Sequence, residues 1–331
     1  MIEMGSGLDL SIIVVNYNTC DLLRDCLCSI YKSQDHFSYQ VFVVDNCSSD
    51  GSRAMVRSEF PQVHLIESPV NGGYAYANNL GLRATGFRHV NEDAVIPDAS
   101  SLGPRYVLLL NPDTLLPSNA LQEMIAFMDG HPEAGVAGPK LVRADGSLDL
   151  ACRRSFPTPE VSFYRMLGLS RLFPRSRRFG RYNLTYLDPD QPAEVDAVVG
   201  AFMMVRGQVL HQVGLLDESF FMYAEDLDWC KRIKEARNPH TGQPWKVLYN
   251  PAVTVLHYKR AASQHSKRAS YEFYRTMYTF YQKHYAADTP FWLHWLVVGG
   301  IVLRGGIPLL RNILSLPAKT EGDGEVAEAA Q

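Results

Sequence analysis

Short apolar runs that end abruptly in polar clusters mark out the first half of this chain. Residues 106–110 (YVLLL) are apolar without alternation, and Asn111-Pro112-Asp113 follows at once. Such a run predicts a strand buried on both faces, as in a parallel sheet covered by helices. Pro112 cannot donate to a ladder, so the strand stops there and presents Asp113 at its carboxyl end. A carboxylate at that place is expensive unless it holds a cation or a hydrogen-bond donor. Capping the helix that starts near Ser118 is the plainer role, but Ser118 itself is offered as that cap.

Residues 10–15 (LSIIVV) and 39–44 (YQVFVV) follow the same pattern. The first ends at Asn16-Tyr17-Asn18, the second at Asp45 and a polar burst reaching Gly51. Residues 63–66 predict a third, shorter strand. Between them the apolar period becomes helical: Leu22, Leu23, Cys26, Leu27 and Ile30 share one face, with Thr19 or Asp21 as cap. Asp50 or Ser52 caps a second helix through Met55 and Val56. Strand–helix alternation with short loops predicts right-handed crossovers and an α/β fold around a mostly parallel, Rossmann-like sheet flanked by helices. The polar strand ends then fall on one edge, bringing Asn16, Asp45, Asn71, Asn79 and Asp113 to one crevice. Residues 86–104 are polar and irregular and predict a surface insertion.

The second half is less regular. Residues 135–142 predict a further strand, and 194–206 a strand pair with a close-packed Gly200-Ala201 corner. Residues 220–224 (FFMYA) precede an acidic triplet, Glu225, Asp226 and Asp228, at the start of a helix that includes Trp229. The helix dipole alone favours acids there, but two would suffice, and the apolar run suggests a partly dry pocket. Residues 245–249 and 253–256 predict two short strands leading to His257, and 271–285 an aromatic helix. Residues 289–303 are the longest uncharged run, short of the roughly twenty needed to cross a bilayer. With Trp292, Trp295, Arg304 and Arg311 they predict an interfacial helix pair on a membrane surface; the alternative is a core or homo-oligomer helix. The tail from Thr320 is acidic and small and is expected to be disordered.

Composition narrows this only a little. The chain has 331 residues, 46% hydrophobic and 20% charged, as in ordinary soluble proteins. A net charge of −3 provides no global field for nucleic acid. Local charge is another matter: residues 153–181 hold eight arginines against Glu160 alone. That is a solvated basic face or a surface for phosphates, of a lipid headgroup or a pyrophosphate-bearing acceptor. Six cysteines without paired spacing predict reduced, mostly buried thiols and a cytosolic setting. No signal peptide is expected, since Asp9 soon interrupts the N-terminus and an apolar strand follows. Neither GxGxxG nor GxxxxGK[ST] occurs in the loops, which argues against dinucleotide dehydrogenases and P-loop enzymes.

Seven stretches in order resemble a family 2 glycosyltransferase with the GT-A fold over roughly residues 8–285. They are SIIVVNYN, VVDNCSSDGS, NGGYAYANNLG, LLLNPDT, GAFMMVR, FFMYAEDLDWCKR and VLHYKR. By pattern the chain is most similar to bacterial rhamnosyltransferases. The resemblance implies the following roles. Asp45 contacts the nucleotide base, with Asn16, Tyr17 and Asn18 lining its pocket. Asn71, Gly73 and Asn79 shape the phosphate loop. Asn111-Pro112-Asp113 replaces the family's Asp-x-Asp, so Asp113 and His257 hold Mg²⁺ or Mn²⁺. Asp226 is the base, and Gly200, Ala201, Glu225 and Trp229 line the acceptor side. One base plus one leaving-group cation implies inversion.

The resemblance further implies a donor half (8–150), an acceptor and base half (151–285), membrane-associating helices (286–318) and a tail (319–331). The implied partners are a nucleotide-diphosphate sugar, with dTDP-L-rhamnose the best donor, a lipid-linked or glycan acceptor, and a membrane surface at the cytoplasmic face of a bacterial inner membrane. The rivals are a UDP- or GDP-sugar transferase, a non-catalytic nucleotide-sugar-binding protein, and a nucleotidyltransferase. The last wants a glycine- and lysine-rich loop that is missing after Val14.

Overall fold

The computed structural model describes residues 7–33, 36–88, 103–259 and 267–315. Most of the expected insertion at 86–104, Arg260 of VLHYKR and the expected tail at 319–331 lie outside the described residues. In chain order the elements are β1 (Leu10–Asn16), α1 (Cys20–Tyr31), β2 (Tyr39–Asp45), α2 (Ser52–Glu59), β3 (His64–Glu67), α3 (Tyr74–Ala84), β4 (Tyr106–Leu110), β5 (Thr114–Leu115), α4 (Ala120–Gly130) and β6 (Ala134–Val142). Then follow α5 (Pro159–Met166), α6 (Leu169–Leu172), β7 (Ala193–Val195), β8 (Phe202–Arg206), α7 (Gly207–Val213), α8 (Glu225–Glu235), β9 (Lys246–His257), α9 (Lys267–His284) and α10 (Phe291–Ser315).

The nine strands among the described residues form one sheet in the order β3-β2-β1-β4-β8-β6-β9-β5, with β7 pairing β9. The first four are parallel, as the unbroken apolar runs predict, and β1 and β4 are buried along their whole length. Beyond β4 the sheet is mixed: β8 enters antiparallel between β4 and β6, and β5 and β7 lie antiparallel to β9. The polar ends of β1, β2 and β4 still share one edge, because Asn16 pairs with Asp45 and Val14 with Leu110.

Several local expectations change. β7 and β8 do not pair with each other; β7 belongs to β9. The two short strands expected at 245–256 are one strand, β9, and its pairing to β6 shifts register beside Pro251. The N-cap of α4 is Asn119, without a side-chain bond, so Ser118 does not cap it. Nor does Thr19 cap α1 with its side chain: the Cys20 N–H instead donates to Asp50 Oδ2 at 2.8 Å, across from the β2–α2 loop. The apolar C-terminal helix is longer than its uncharged run, 25 residues, with Gly306 at φ 75° interrupting it. All six cysteines are free thiols.

Candidate active site

β5 and β9 bring Asp113 and His257 together. Thr114 pairs with His257, and the Tyr258 N–H donates to the Asp113 carbonyl at 2.9 Å. Asp113 Oδ1 then lies 3.4 Å from His257 Nε2. The other ring nitrogen, Nδ1, is 2.9 Å from Asp149 Oδ2, and Lys259 Nζ donates to Asp149 Oδ1 at 2.9 Å. Burial works against charge on His257, but the two carboxylates outweigh it and raise the ring to about 9. Burial likewise opposes charge on Asp149, yet the donors from His257 and Lys259 hold it far below the usual carboxylate range.

Among the described residues, no three His, Cys, Asp or Glu side chains gather to enclose an ion. Asp113 and His257 offer two donors, one oxygen and one imidazole nitrogen. Mg²⁺ sites of this kind keep few protein ligands and draw the rest from substrate phosphates and water. The pair fits such a cation, and the ring would bind it neutral, giving up its proton.

At the β1–β2 edge, Asn16 and Asp45 are fully buried and bind each other, Nδ2 to Oδ2 at 3.2 Å. Asp45 Oδ1 also accepts from the Ser48 N–H and faces Arg53. These two side chains shape the loops, while Tyr17 and Asn18 are exposed, Asn18 with its Oδ1 accepting from the Ser49 N–H. Asn46, passed over in the sequence, holds the glycine turn: it accepts from the Gly72 N–H and donates to Asn71 and to the Gly73 carbonyl. Gly73 sits at φ 92°, where a Cβ would come within 2.2 Å of the Phe221 carbonyl, so only glycine fits. That close approach docks α3 on the FFMYA run, through Tyr74 N–H to Phe221 O at 2.6 Å.

The same run ends in two consecutive left-handed residues, Tyr223 and Ala224, just before α8. Strain of this kind persists only where the surroundings impose it, and it clusters at active sites. It delivers three buried carboxylates with three different fates. Asp228 is held by Arg232, Lys283 and His284. Asp226 accepts from Arg154 and from the Gly200 N–H on Oδ2, and from the Leu227 N–H on Oδ1. Glu225 has no partner on its buried Oε2, and burial, then the neighbouring Asp226 charge, raises it to about 8.

Tyr74 links α3 to Gly200, just before β8. Its hydroxyl donates to the Gly200 carbonyl at 2.8 Å. Burial, then the charges of Glu225, Asp226 and Asp113, push its hydroxyl well above the ordinary phenol value. Asp113, Glu225 and Asp226 therefore all bear on the Tyr74 hydroxyl.

Three expected site residues leave the set. Asn79 is fully buried, with its amide spent on the Leu216 main chain and on Glu218, so it ties α3 to the 214–218 segment rather than facing a donor. Trp229 is a core residue whose indole donates to the Gly214 carbonyl. Ala201 is buried, and its carbonyl accepts the Asn111 N–H. Gly200 remains, as a donor to Asp226 rather than a surface for the acceptor. Two members of the basic 153–181 stretch are interior: Arg153 binds the Leu187 and Asp188 carbonyls, and Arg154 binds Asp226. Arg154 and Asp149 were not singled out from the sequence; each acquires its role through a partner 72 or 108 positions away.

The family model described as Glycosyl transferase family 2 matches residues 11–176. The chain belongs to that family and is a glycosyltransferase with a GT-A fold. It is 27% identical over 297 residues to the N-acetylglucosaminyl-diphospho-decaprenol L-rhamnosyltransferase of Mycobacterium tuberculosis, covering 89% of this chain and 91% of that one. It is 27% identical over 255 residues to the rhamnosyltransferase WbbL of Escherichia coli, covering 75% and 82%. In structure it is similar to the mannosyltransferase PcManGT from Pyrobaculum calidifontis, solved with GDP-Man and Mn²⁺ (TM-score 0.51, 14% identity, 94% of this chain and 80% of that one). At that identity the likeness concerns the fold.

Proposed function

We propose that this glycosyltransferase moves L-rhamnose from dTDP-L-rhamnose to a lipid-linked or polysaccharide acceptor, with inversion. Its place would be the cytoplasmic face of a bacterial inner membrane, in cell-surface glycan synthesis. The observation that carries this is the pairing of Asp113 with His257 at the end of β5 and β9, together with a buried Asp226 held by Arg154 and the Gly200 N–H with one acceptor position left open. The names of the relatives support the sugar and, in the mycobacterial protein, a diphospho-decaprenol acceptor.

Asp226 takes the acceptor hydroxyl's proton as that oxygen attacks the anomeric carbon, and the bond to the diphosphate breaks with its electron pair. Asp113 and His257 would hold Mg²⁺ or Mn²⁺, which supplies positive charge to the leaving diphosphate. Glu225, protonated up to about pH 8, offers no second charged nucleophile, which favours a single displacement. The Asn46–Gly73 turn and the Asn16–Asn18 loop would seat the nucleotide.

A thermal-shift panel of dTDP-, UDP- and GDP-sugars with each cation tests the donor, since a ligand at a hundred times its dissociation constant adds about 2.7 kcal/mol. The largest shift is expected from dTDP-L-rhamnose. A larger one from a UDP- or GDP-sugar reassigns the donor, and none from any sugar removes the donor-binding proposal. The anomeric configuration of the product, read by NMR, tests inversion.

A further inference from the structure

Exposed large hydrophobic side chains are not scattered over this protein. Of the fifteen among the described residues, eight lie on α10 and four on α5, α6 and their ends. The four are Phe163, Leu167, Leu172 and Phe173. These two groups are neighbours. Gly300 of α10 packs on the Met166 side chain, and Arg304 Nη2 donates to the Met166 carbonyl at 2.9 Å. An exposed apolar patch of this extent, rimmed by polar groups, marks an interaction site.

One side of α10 is already committed. Val298, Ile301 and Leu309 are buried, His294 meets the Tyr281 hydroxyl at 3.0 Å, and Gly305 lies against Tyr274. The helix thus runs back along α9, whose His284 is bound to Asp228 in the body of the domain. By length and composition α10 is apolar enough to cross a bilayer. Crossing would require it to drag α9 along or to abandon these contacts, and Gly306 with Pro308 breaks its axis. Its open side carries Trp292, Trp295, Leu296, Leu303 and Ile307.

The charge around this face is strongly positive, with Glu160 of α5 paired to Arg178 as the acid among many arginines. Residues 165–181 hold six arginines and no acid, and α10 holds Arg304 and Arg311 with no acid. Arg177, Arg178 and Arg181 line an open cleft of about 400 Å³ together with Tyr164 and Glu160, wide enough for a phosphate headgroup. A second copy of the chain would bring arginines against arginines, so self-association is disfavoured.

We infer that α5, α6 and the outer side of α10 form one membrane-docking face, which lies in the surface of a bilayer rich in anionic phospholipid and does not cross it. The inference does not depend on which sugar or acceptor the enzyme uses.

The test uses the full chain and two kinds of vesicle, phosphatidylcholine alone and phosphatidylcholine with phosphatidylglycerol. The protein should co-sediment with the mixed vesicles at least about tenfold better at low salt, and alkaline carbonate should strip it off. Leu172→Glu with Phe173→Glu, two exposed positions far from Tyr74 in sequence, should lower this partition at least about tenfold. The same variant should keep its melting temperature and its nucleotide titration, both measured by calorimetry. If this variant partitions like the native chain, α10 acts alone and the composite face is wrong. Resistance to carbonate means a span, and a dimer that the variant dissolves in sedimentation velocity means a second copy is the occupant; either result overturns the inference.

Discussion

Arg154 donates from Nη2 to Asp226 Oδ2 at 2.5 Å, and both side chains are about nine-tenths buried. The same oxygen accepts the Gly200 N–H, and Oδ1 accepts the Leu227 N–H at 2.8 Å. A carboxylate offers about four acceptor positions, so one remains on Oδ1. The proton of an attacking hydroxyl can go there. Arg154 and Gly200 thus fix the orientation of the proposed base without touching the remaining position.

Removing the charge at Asp226 should therefore have two effects. Asp226→Asn loses the basic group, which typically costs about 10²–10⁴ in rate. It also leaves Arg154 charged and buried, which costs about 3–5 kcal/mol where such a pair is broken. The double variant Arg154→Met with Asp226→Leu should recover much of that stability and none of the turnover, because an apolar pair of similar size often replaces a buried ion pair at little cost. Denaturant midpoints and turnover are the two measurements. An Asp226→Asn enzyme within a few-fold of native turnover would move the base elsewhere, with Glu225 first in line.

The sequence made β1, β2 and β4 legible because a strand buried on both faces must be apolar throughout, and its polar end marks the site edge. It concealed β5, whose two residues are too short for a pattern, and so hid how Asp113 meets His257. Pro251 made β9 look like two strands. The ladder passes from Asn250 to Thr254 on β9 while advancing one residue on β6, from Pro139 to Lys140, so the proline sits in a bulge. The antiparallel entry of β8 between β4 and β6 is a non-local pairing that no local pattern encodes. Arg154 looked like one member of a basic run; only the fold separates it from the exposed arginines that follow. Asp226 and the late His257 were visible through their motifs, but the partners that hold them, Arg154 and Asp149, were not.

Asp113→Ala should abolish the metal-dependent part of nucleoside diphosphate binding and leave the fold intact. The carboxylate projects from the end of a buried strand and has His257 at 3.4 Å as its ion-pair partner. Calorimetric titration of dTDP with and without Mn²⁺ measures this directly. If the cation strengthens binding to the variant as much as to the native protein, Asp113 is not a ligand.

Asp149→Asn probes the orientation of His257. The Asp149 carboxylate fixes which ring nitrogen faces Asp113, and outer partners of this kind are worth about 10–100-fold in metal affinity. Mn²⁺ binding in the presence of dTDP, followed by electron paramagnetic resonance, should weaken by that factor, while metal-free dTDP binding stays the same. Equal loss in both titrations would point to general damage at the β9 end instead.

Glu225 should make the protein less stable as pH rises. Its folded-state value lies near 8 against an ordinary 4.5, because burial and then the neighbouring Asp226 charge disfavour ionisation. The sign follows from linkage. A group whose folded value is raised is more protonated in the native state than in the unfolded chain between the two values. Its contribution is fully present below about pH 4.5 and is lost progressively up to about pH 8. The orphaned Oε2 agrees with a neutral carboxyl, since a charged one without donors would be costly at that depth. Glu225→Gln keeps the shape and cannot ionise. The melting temperature of this variant, relative to the native protein, should therefore climb between pH 5 and pH 8 and level off above. A difference that stays flat across this range would mean Glu225 is charged in the native state, held by a donor that the apo fold does not provide. Glu225 would then compete with Asp226 for the role of base.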